Sequence, residues 1–438
     1  MGSSPRDKGS LVATRAPPFV TGGWRGAPVC SPPVHLSPLP LLLFVLTYLG
    51  LALGRIPPLK LDRTGFAILG AVAFLATGAI SVEEAKAAVD APTLVVLFGM
   101  MLLSAQYRLS GLYTVIGERL TRVADPRRLL LGTILVTAAL SAVLTNDVVC
   151  FALTPLLLGS LLATGRPPIS YLLAIACASN IGSALTPIGN PQNILIAQSF
   201  RLPFLPFVLA CLAPVVLSLA VLYFLVARIL PAGSPATAVP RAKQSEGIAL
   251  DRWQAGKAVL LTIAVIALFL SPVPAPLTAL GLVGIVLSSR RMHTRDVLSL
   301  VDWHLLALFI GLFIVVRGFE ISGWTQAARD ALAAAGADLT QPHVLVPGVA
   351  LLGNLVGNVP AVMLMLPFVG REPAVGYALA LASTFAGNAV LVGSIANLIV
   401  AEQAERLGVR LTFRDHLRLG LPVTLISLAL AVAAMAFW

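Results

Sequence analysis

The sequence predicts an all-α polytopic membrane protein made of two inverted repeats of five crossings, each with a re-entrant hairpin and a broken helix. Three observations carry this. Of 438 residues, 58% are hydrophobic and 11% charged, where a soluble chain carries about 25% charged residues. Two apolar segments are interrupted in their middles by Gly, Asn, Ser and Thr, and the two align with each other. A polar Pro/Ala/Ser-rich stretch, 230–256, separates them at the midpoint of the chain.

Taken in order, residues 1–38 are rich in Pro, Gly and Ser with scattered Arg and no uninterrupted apolar core. They are expected to be a disordered basic tail, or an over-extended gene start, and not a signal peptide. The first repeat, 39–229, opens with apolar spans at 39–54, 65–81 and 91–106, with a short amphipathic piece at Glu83-Glu84-Ala85-Lys86. Gly111 to Ala124 is mixed and charged and is placed at the interface. Leu129 to Leu162 is apolar but interrupted at Thr145-Asn146-Asp147. A broken helix (170–200) and a span (205–229) follow. After the linker, expected on the cytoplasmic side, the second repeat, 257–438, keeps the same order. Its spans lie at 258–271, 275–289 and 303–318, with an interrupted stretch at 343–369, a broken helix at 374–401 and a last span at 418–437.

The breaks are the informative part. Ser179 to Asn193 holds two prolines, two glycines and a cluster of amides and hydroxyls. Proline removes a helix donor and clashes with the preceding turn. In hydrocarbon the freed backbone groups cost several kcal/mol each, so such a break survives only where it is buried in protein or lines a wet cavity. A simple proline kink is the alternative. Against it, Ala178 onward aligns without a gap on Ala382 onward: Ser179 on Ser383, Gly189 on Gly393, Asn193 on Asn397. Paired interruptions in two halves point to a transporter site. Thr145-Asn146-Asp147 to Pro155 likewise aligns with Gly357-Asn358-Val359 to Pro367. Each interrupted stretch could be one long helix, two spans or a hairpin. A span needs about 20 residues, which favours hairpins, one entering from each side.

Five crossings per half invert the second half. With the N-terminus outside, 21 Lys/Arg fall on inside loops and 5 on outside loops, apart from four in the tail. This is the positive-inside pattern. It accounts for the net charge of +11 without nucleic acid as a partner. It predicts a multi-pass plasma (inner) membrane protein with both termini outside. Cys30, Cys150, Cys177 and Cys211 show no metal spacing. Cys150 and Cys177 lie near the expected site and would suit a thiophilic metalloid, or serve as small buried hydrophobes.

Half-helix N-termini at the breaks carry about half a positive charge each and suit an anion. Freed carbonyls and side-chain oxygens suit Na⁺. The candidate residues are Thr145, Asn146, Asp147, Ser179, Asn180, Ser183, Thr186, Asn190 and Asn193 in one half. In the other they are Asn358, Ser383, Thr384, Asn388, Ser394 and Asn397. Na⁺ is placed at Asn146, Asp147 and Asn358. Asp147 is the only acid in the four motifs. At membrane depth it carries a coupling proton or stands beside Na⁺; the alternative is a helix cap. Arg317 and Glu320 are expected to snorkel or pair at the interface. No catalytic constellation and no cofactor is expected, the coupling ion being H⁺ or Na⁺.

The runs SNIGSALTPIGNPQNILIA and GNAVLVGSIANLIVAEQAERLG resemble the Ion Transporter superfamily: arsenite permeases, related sodium/proton antiporters, and divalent-anion/sodium symporters with their citrate-carrier relatives. The resemblance covers residues 39–438. In the symporter branch the hairpin tips read Ser-Asn-Thr and line Na⁺ sites, and here only Asn146 and Asn358 match. The resemblance implies scaffold and transport domains, elevator-like movement and often a homodimer. The expected function is secondary active transport of a small inorganic or organic anion, with alternating access at the hairpin tips. An arsenite permease, a sodium/proton antiporter and an anion channel are the alternatives.

Overall fold

The computed structural model describes residues 36–54, 61–230, 248–339 and 341–438. Most of the expected tail and linker lies outside them. The described residues form twenty α-helices and one short 3-10 turn. The first repeat comprises α1 (Pro38–Leu53), α2 (Arg63–Ala76), α3 (Val82–Ala88), α4 (Ala91–Leu109), α5 (Leu112–Thr121), α6 (Pro126–Val143), α7 (Asn146–Ala163), α8 (Ile169–Ser183), α9 (Pro191–Phe200) and α10 (Phe204–Ile229). The second comprises α11 (Arg252–Phe269), α12 (Ala275–Leu287), α13 (Thr294–Leu298), α14 (Trp303–Ile321), α15 (Trp324–Ala334), α16 (Pro342–Val356), α17 (Asn358–Met365), α18 (Pro373–Ala386), α19 (Ile395–Arg406) and α20 (Phe413–Met435). Element for element, each helix has its counterpart ten places on.

Charge sits where it helps the helices start. Asp62, Asp90, Asp125, Asp251 and Asp302 each accept a backbone N–H in the first turn of α2, α4, α6, α11 and α14. That satisfies a donor the helix leaves open and complements its positive end. Ser81 with Glu84 and Thr412 with Asp415 form capping boxes on α3 and α20.

Hydrogen bonds fix which ends lie together. Asp251 N–H donates to Ser110 O at 3.1 Å, so α4 ends on the face where the linker returns to α11. The feet of the first hairpin, α6–α7, are bound to each other. Arg166 donates to Val123 O (3.0 Å) and Ala124 O (2.8 Å), and the Tyr171 hydroxyl to Pro126 O (3.1 Å). Its tip meets the first break, with Asn146 N–H on Gly189 O at 3.3 Å. From there α9 carries the chain to the opposite face. Phe200 and Leu202 pack on Gly376 at the start of α18 there, and Arg371 lies over the Phe200 ring, 5.3 Å from its centroid. The foot of the second hairpin, α16–α17, is tied by a hydrogen bond from Arg329 to Pro367 O. The two hairpins thus enter from opposite faces. Length alone would not have established this. α6 and α7 have 18 residues each, about 27 Å, and both qualify as spans by length and hydropathy. Bound feet and a buried tip make them a hairpin.

The repeats interlock by exchange. α2 packs on α14 and α4 on α12, each pair running parallel. A Cβ at Gly311 would lie 2.8 Å from the Ala67 backbone, and one at Gly318 would strike the Phe74 ring. Gly99 is packed against Ala279 in the matching position of the other pair. Arg317 and Glu320 pair at 3.3 Å on the opposite face.

Candidate functional site

The first break begins where α8 stops at Ser183. Pro187 and Pro191 cannot donate, and Gly189 lies so close to Ser183 and Ser141 that a Cβ would come within 2.8 Å of the Ser141 carbonyl. Asn190 restarts the helix by accepting Asn193 N–H at 2.9 Å. The freed carbonyls are taken up by one side chain: Asn193 Nδ2 donates to Ser183 O (3.2 Å) and Thr186 O (3.0 Å). Its repeat mate does the same, Asn397 Nδ2 donating to Gly387 O (2.7 Å) and Val390 O (3.3 Å). Each amide stands in for the missing turn of its helix.

The two breaks are bonded to each other across the repeats. Asn180 Nδ2 donates to Asn388 Oδ1 (2.9 Å) and Asn397 Oδ1 (3.1 Å), and its Oδ1 accepts from Asn146 (3.2 Å) and Ser394 (3.0 Å). Thr384, the repeat mate of Asn180, donates to Asn193 Oδ1 (3.4 Å) and accepts from Asn190 (3.2 Å) and Gln192 (3.3 Å). Asn190 Nδ2 also reaches Ser183 Oγ at 2.9 Å. Thr186 donates to Ala142 O on α6. Ser179 and Ser383 spend their hydroxyls on carbonyls three residues back, at 2.9 and 3.3 Å. Thr145 is held by Ser104 of α4, N–H to Oγ at 3.2 Å.

In front of this web lies a cavity of about 50 Å³. Four helices begin at it: α7 through Asn146 and Asp147, α9 through Pro191 and Gln192, α17 through Asn358, and α19 through Ile395. Gly357, Val359, Pro360, Gly393, Ser394, Leu305 and Leu308 complete the wall, together with Arg63. Of the residues expected from sequence, Asn146, Asp147, Asn358 and Ser394 therefore face the cavity. Thr145, Ser179, Asn180, Ser183, Thr186, Asn190, Asn193, Ser383, Thr384, Asn388 and Asn397 are absent from its wall; all are buried.

Arg63 and Gln192 were not expected. Arg63 opens α2, its Nε donating to Leu51 O at 3.3 Å. Its Nη1 lies 3.0 Å from where a Cβ on Gly357 would stand, so the guanidinium covers the second hairpin tip. One signal was available: an arginine in the first helical position opposes the helix dipole and invites another explanation.

Two oxygens at the tips, Asn146 Oδ1 and Asn358 Oδ1, are buried without a hydrogen-bond partner, as is Asn388 Nδ2. Such groups cost about 1–3 kcal/mol each unless something supplies the missing contact. Asp147 does not cap α7, and the hydroxyl of the N-cap Thr145 is bonded to Ser104 Oγ at 3.1 Å and not to the helix. Among the described residues no cluster of three His, Cys, Asp or Glu could hold a metal ion, and Cys150, Cys177 and Cys211 are buried free thiols.

A second cavity, of about 490 Å³, enters from the opposite face and stops at Pro187 and Ile188 of the first break. It is lined by Val96 and Ala275, the repeat equivalents of Leu308 and Arg63. The two cavities share this one repeat-related pair of wall positions and lie on either side of the amide web.

Comparisons with known proteins agree with this architecture. The CitMHS citrate transporter family profile matches residues 42–371. The chain is similar to the rice (Oryza sativa subsp. japonica) silicon efflux transporter LSI3, 30% identical over 86% of this chain and 93% of that one. It is also similar to the putative transporter arsB of Dictyostelium discoideum, 24% identical over 85% and 87%. Among solved structures, the Alcanivorax borkumensis YdaH transporter, described as having an unusual topology, superposes with a TM-score of 0.59. It covers 91% of this chain and 96% of its own at 18% identity, which speaks to the fold alone. The family match runs from α1 through both hairpins and the first broken helix. The chain accordingly belongs to the citrate transporter family, within the Ion Transporter superfamily, and is a multi-span membrane transporter and not an enzyme.

Proposed function

We propose that the protein is a secondary active carrier of a small anion or oxyanion, driven by a cation that binds at the hairpin tips. The observation that carries this is the meeting of four helix N-termini and the Arg63 guanidinium around one cavity. Each N-terminus offers roughly half a positive charge. Such a site favours an anion even with the Asp147 carboxylate beside it. The unpartnered oxygens of Asn146 and Asn358, with Asp147, make an oxygen donor set that favours Na⁺ over H⁺ as the coupling ion.

Alternating access would exchange the two cavities. The linker-face cavity reaches the tips, whereas the opposite one stops at Pro187 and Ile188. A packed amide web between them supports a carrier over a channel. With 21 basic residues assigned to the linker side and 5 to the other, the linker face is read as cytoplasmic and the membrane as the plasma (inner) membrane. Elevator-like movement and a homodimer belong to the same proposal. A second reading rests on the names of the relatives, silicon efflux and arsB, and takes the cargo to be a metalloid hydroxide.

The test is uptake into proteoliposomes of labelled citrate, sulfate, phosphate and arsenite, with and without a Na⁺ gradient. Saturable, Na⁺-stimulated accumulation of an anion is expected. Transport of arsenite alone would favour the second reading. Conductance far above carrier turnover would reject both.

A further inference from the structure

A second site lies on the linker face, between the first turn of α11 and the last turn of α12. It is a pocket of about 490 Å³ whose wall includes Trp253, Lys257, Gly284, Ser288, Arg290 and Arg291. Lys257 Nζ donates to Ile285 O at 2.6 Å, which holds the ammonium at the rim. Arg291 is paired with Asp251 at 3.3 Å. Three cations thus face one carboxylate at a helix end that carries an exposed tryptophan, the residue type found at headgroup level.

Away from the pocket, the outer face of the α11–α12 pair is open apolar surface. At Gly256, Gly281 and Gly284 an added Cβ would meet nothing within 4 Å. Exposed Leu260, Ile263, Leu277 and Leu280 stand along it. The repeat equivalent is built differently. Between α1 and α2 the glycines are filled, Gly50 by the Phe66 ring and Gly70 by Thr47. No Lys or Arg occurs at the corresponding ends, 37–40 and 77–80.

We propose that this is a binding site for an anionic phospholipid. Its phosphate lies among Lys257, Arg290 and Arg291, and one acyl chain lies over Gly284 and Gly281. The basic end selects the phosphate and the exposed apolar face beside it selects a lipid over free phosphate. The site is independent of the transport cavity.

The test is native mass spectrometry of the full chain after exchange into mixed phosphatidylglycerol and phosphatidylcholine. Retention of one phosphatidylglycerol in preference to phosphatidylcholine is expected. Each near-surface basic group contributes a factor of about five in affinity. Lys257→Gln with Arg290→Gln, which leaves the Arg291–Asp251 pair in place, should therefore weaken the preference about 25-fold. Gly281→Leu should weaken retention with every charge intact, and its open surroundings and higher helix propensity keep the fold. Three results would overturn the proposal: equal retention of the two lipids, displacement by millimolar inorganic phosphate, or a dimer that buries this face in the delipidated protein.

Discussion

Replacing Arg63 by glutamine tests the transport site most directly. The guanidinium lines the cavity and lies over the tip at Gly357. A hydrogen bond to a charged partner contributes about 1.5–3 kcal/mol, and each 1.4 kcal/mol is tenfold in affinity. Arg63→Gln should therefore raise the KM for the transported anion roughly 10- to 150-fold. The four helix N-termini remain, so transport should persist at high substrate with kcat little changed. Arg63→Lys keeps the charge and loses the planar fork, and should fall at the low end of that range. The Na⁺ requirement moves the other way: removing a cation beside the tips should leave the half-saturating Na⁺ concentration unchanged or lower it. The assay is initial-rate uptake into proteoliposomes, with the melting temperature measured in parallel because the bond to Leu51 O is lost as well. A KM within twofold of the parent in a stably folded Arg63→Gln protein would show that the guanidinium does not hold the anion.

Other substitutions separate cation from anion. Asp147→Asn should abolish coupled transport with the protein still in the membrane, and normal Na⁺-driven uptake by that variant would reject the coupling role. Asn358→Ala removes an unpartnered oxygen and should raise the half-saturating Na⁺ concentration by about tenfold, the scale of one charge-assisted contact; unchanged Na⁺ dependence argues against a cation at the tips. Gly357 has φ +98° and ψ 156°, a region that costs other residues about 1–3 kcal/mol, so Gly357→Ala should lower the melting temperature measurably. Arg127→Cys at the foot of the first hairpin and Glu372→Cys beside the foot of the second should react with an impermeant maleimide from opposite sides of the membrane. Labelling of both from one side contradicts the inverted arrangement.

The breaks were legible because proline, glycine and asparagine punctuate an otherwise apolar text. The sequence puts the first at 170–200, and its two halves run Ile169–Ser183 and Pro191–Phe200. The ungapped alignment of Asn193 with Asn397 also carried over to structure, where both amides bond equivalent carbonyls. Arg63 was not legible as part of the site. A basic residue beside a membrane span reads first as a topology signal, and its arrival at the second hairpin tip depends on how α2 packs against the other repeat. Length is a weak guide to a hairpin whose arms have 18 residues each. What defines them is a set of long-range bonds, such as Arg166 to Val123 O, that no local pattern announces.

The exchange of α2 onto α14 and α4 onto α12 bears on how the chain is made. When the ribosome has finished the first ten helices, two of them still lack the surfaces they will rest on. Asn180 is likewise left without the Asn388 and Asn397 acceptors its amide will later satisfy. The early half must wait in the bilayer, unfinished, until its twin is threaded in the other way up. Severing the chain in the linker and expressing the pieces separately should give two insoluble or degraded fragments, whereas synthesising both in one cell should restore the whole.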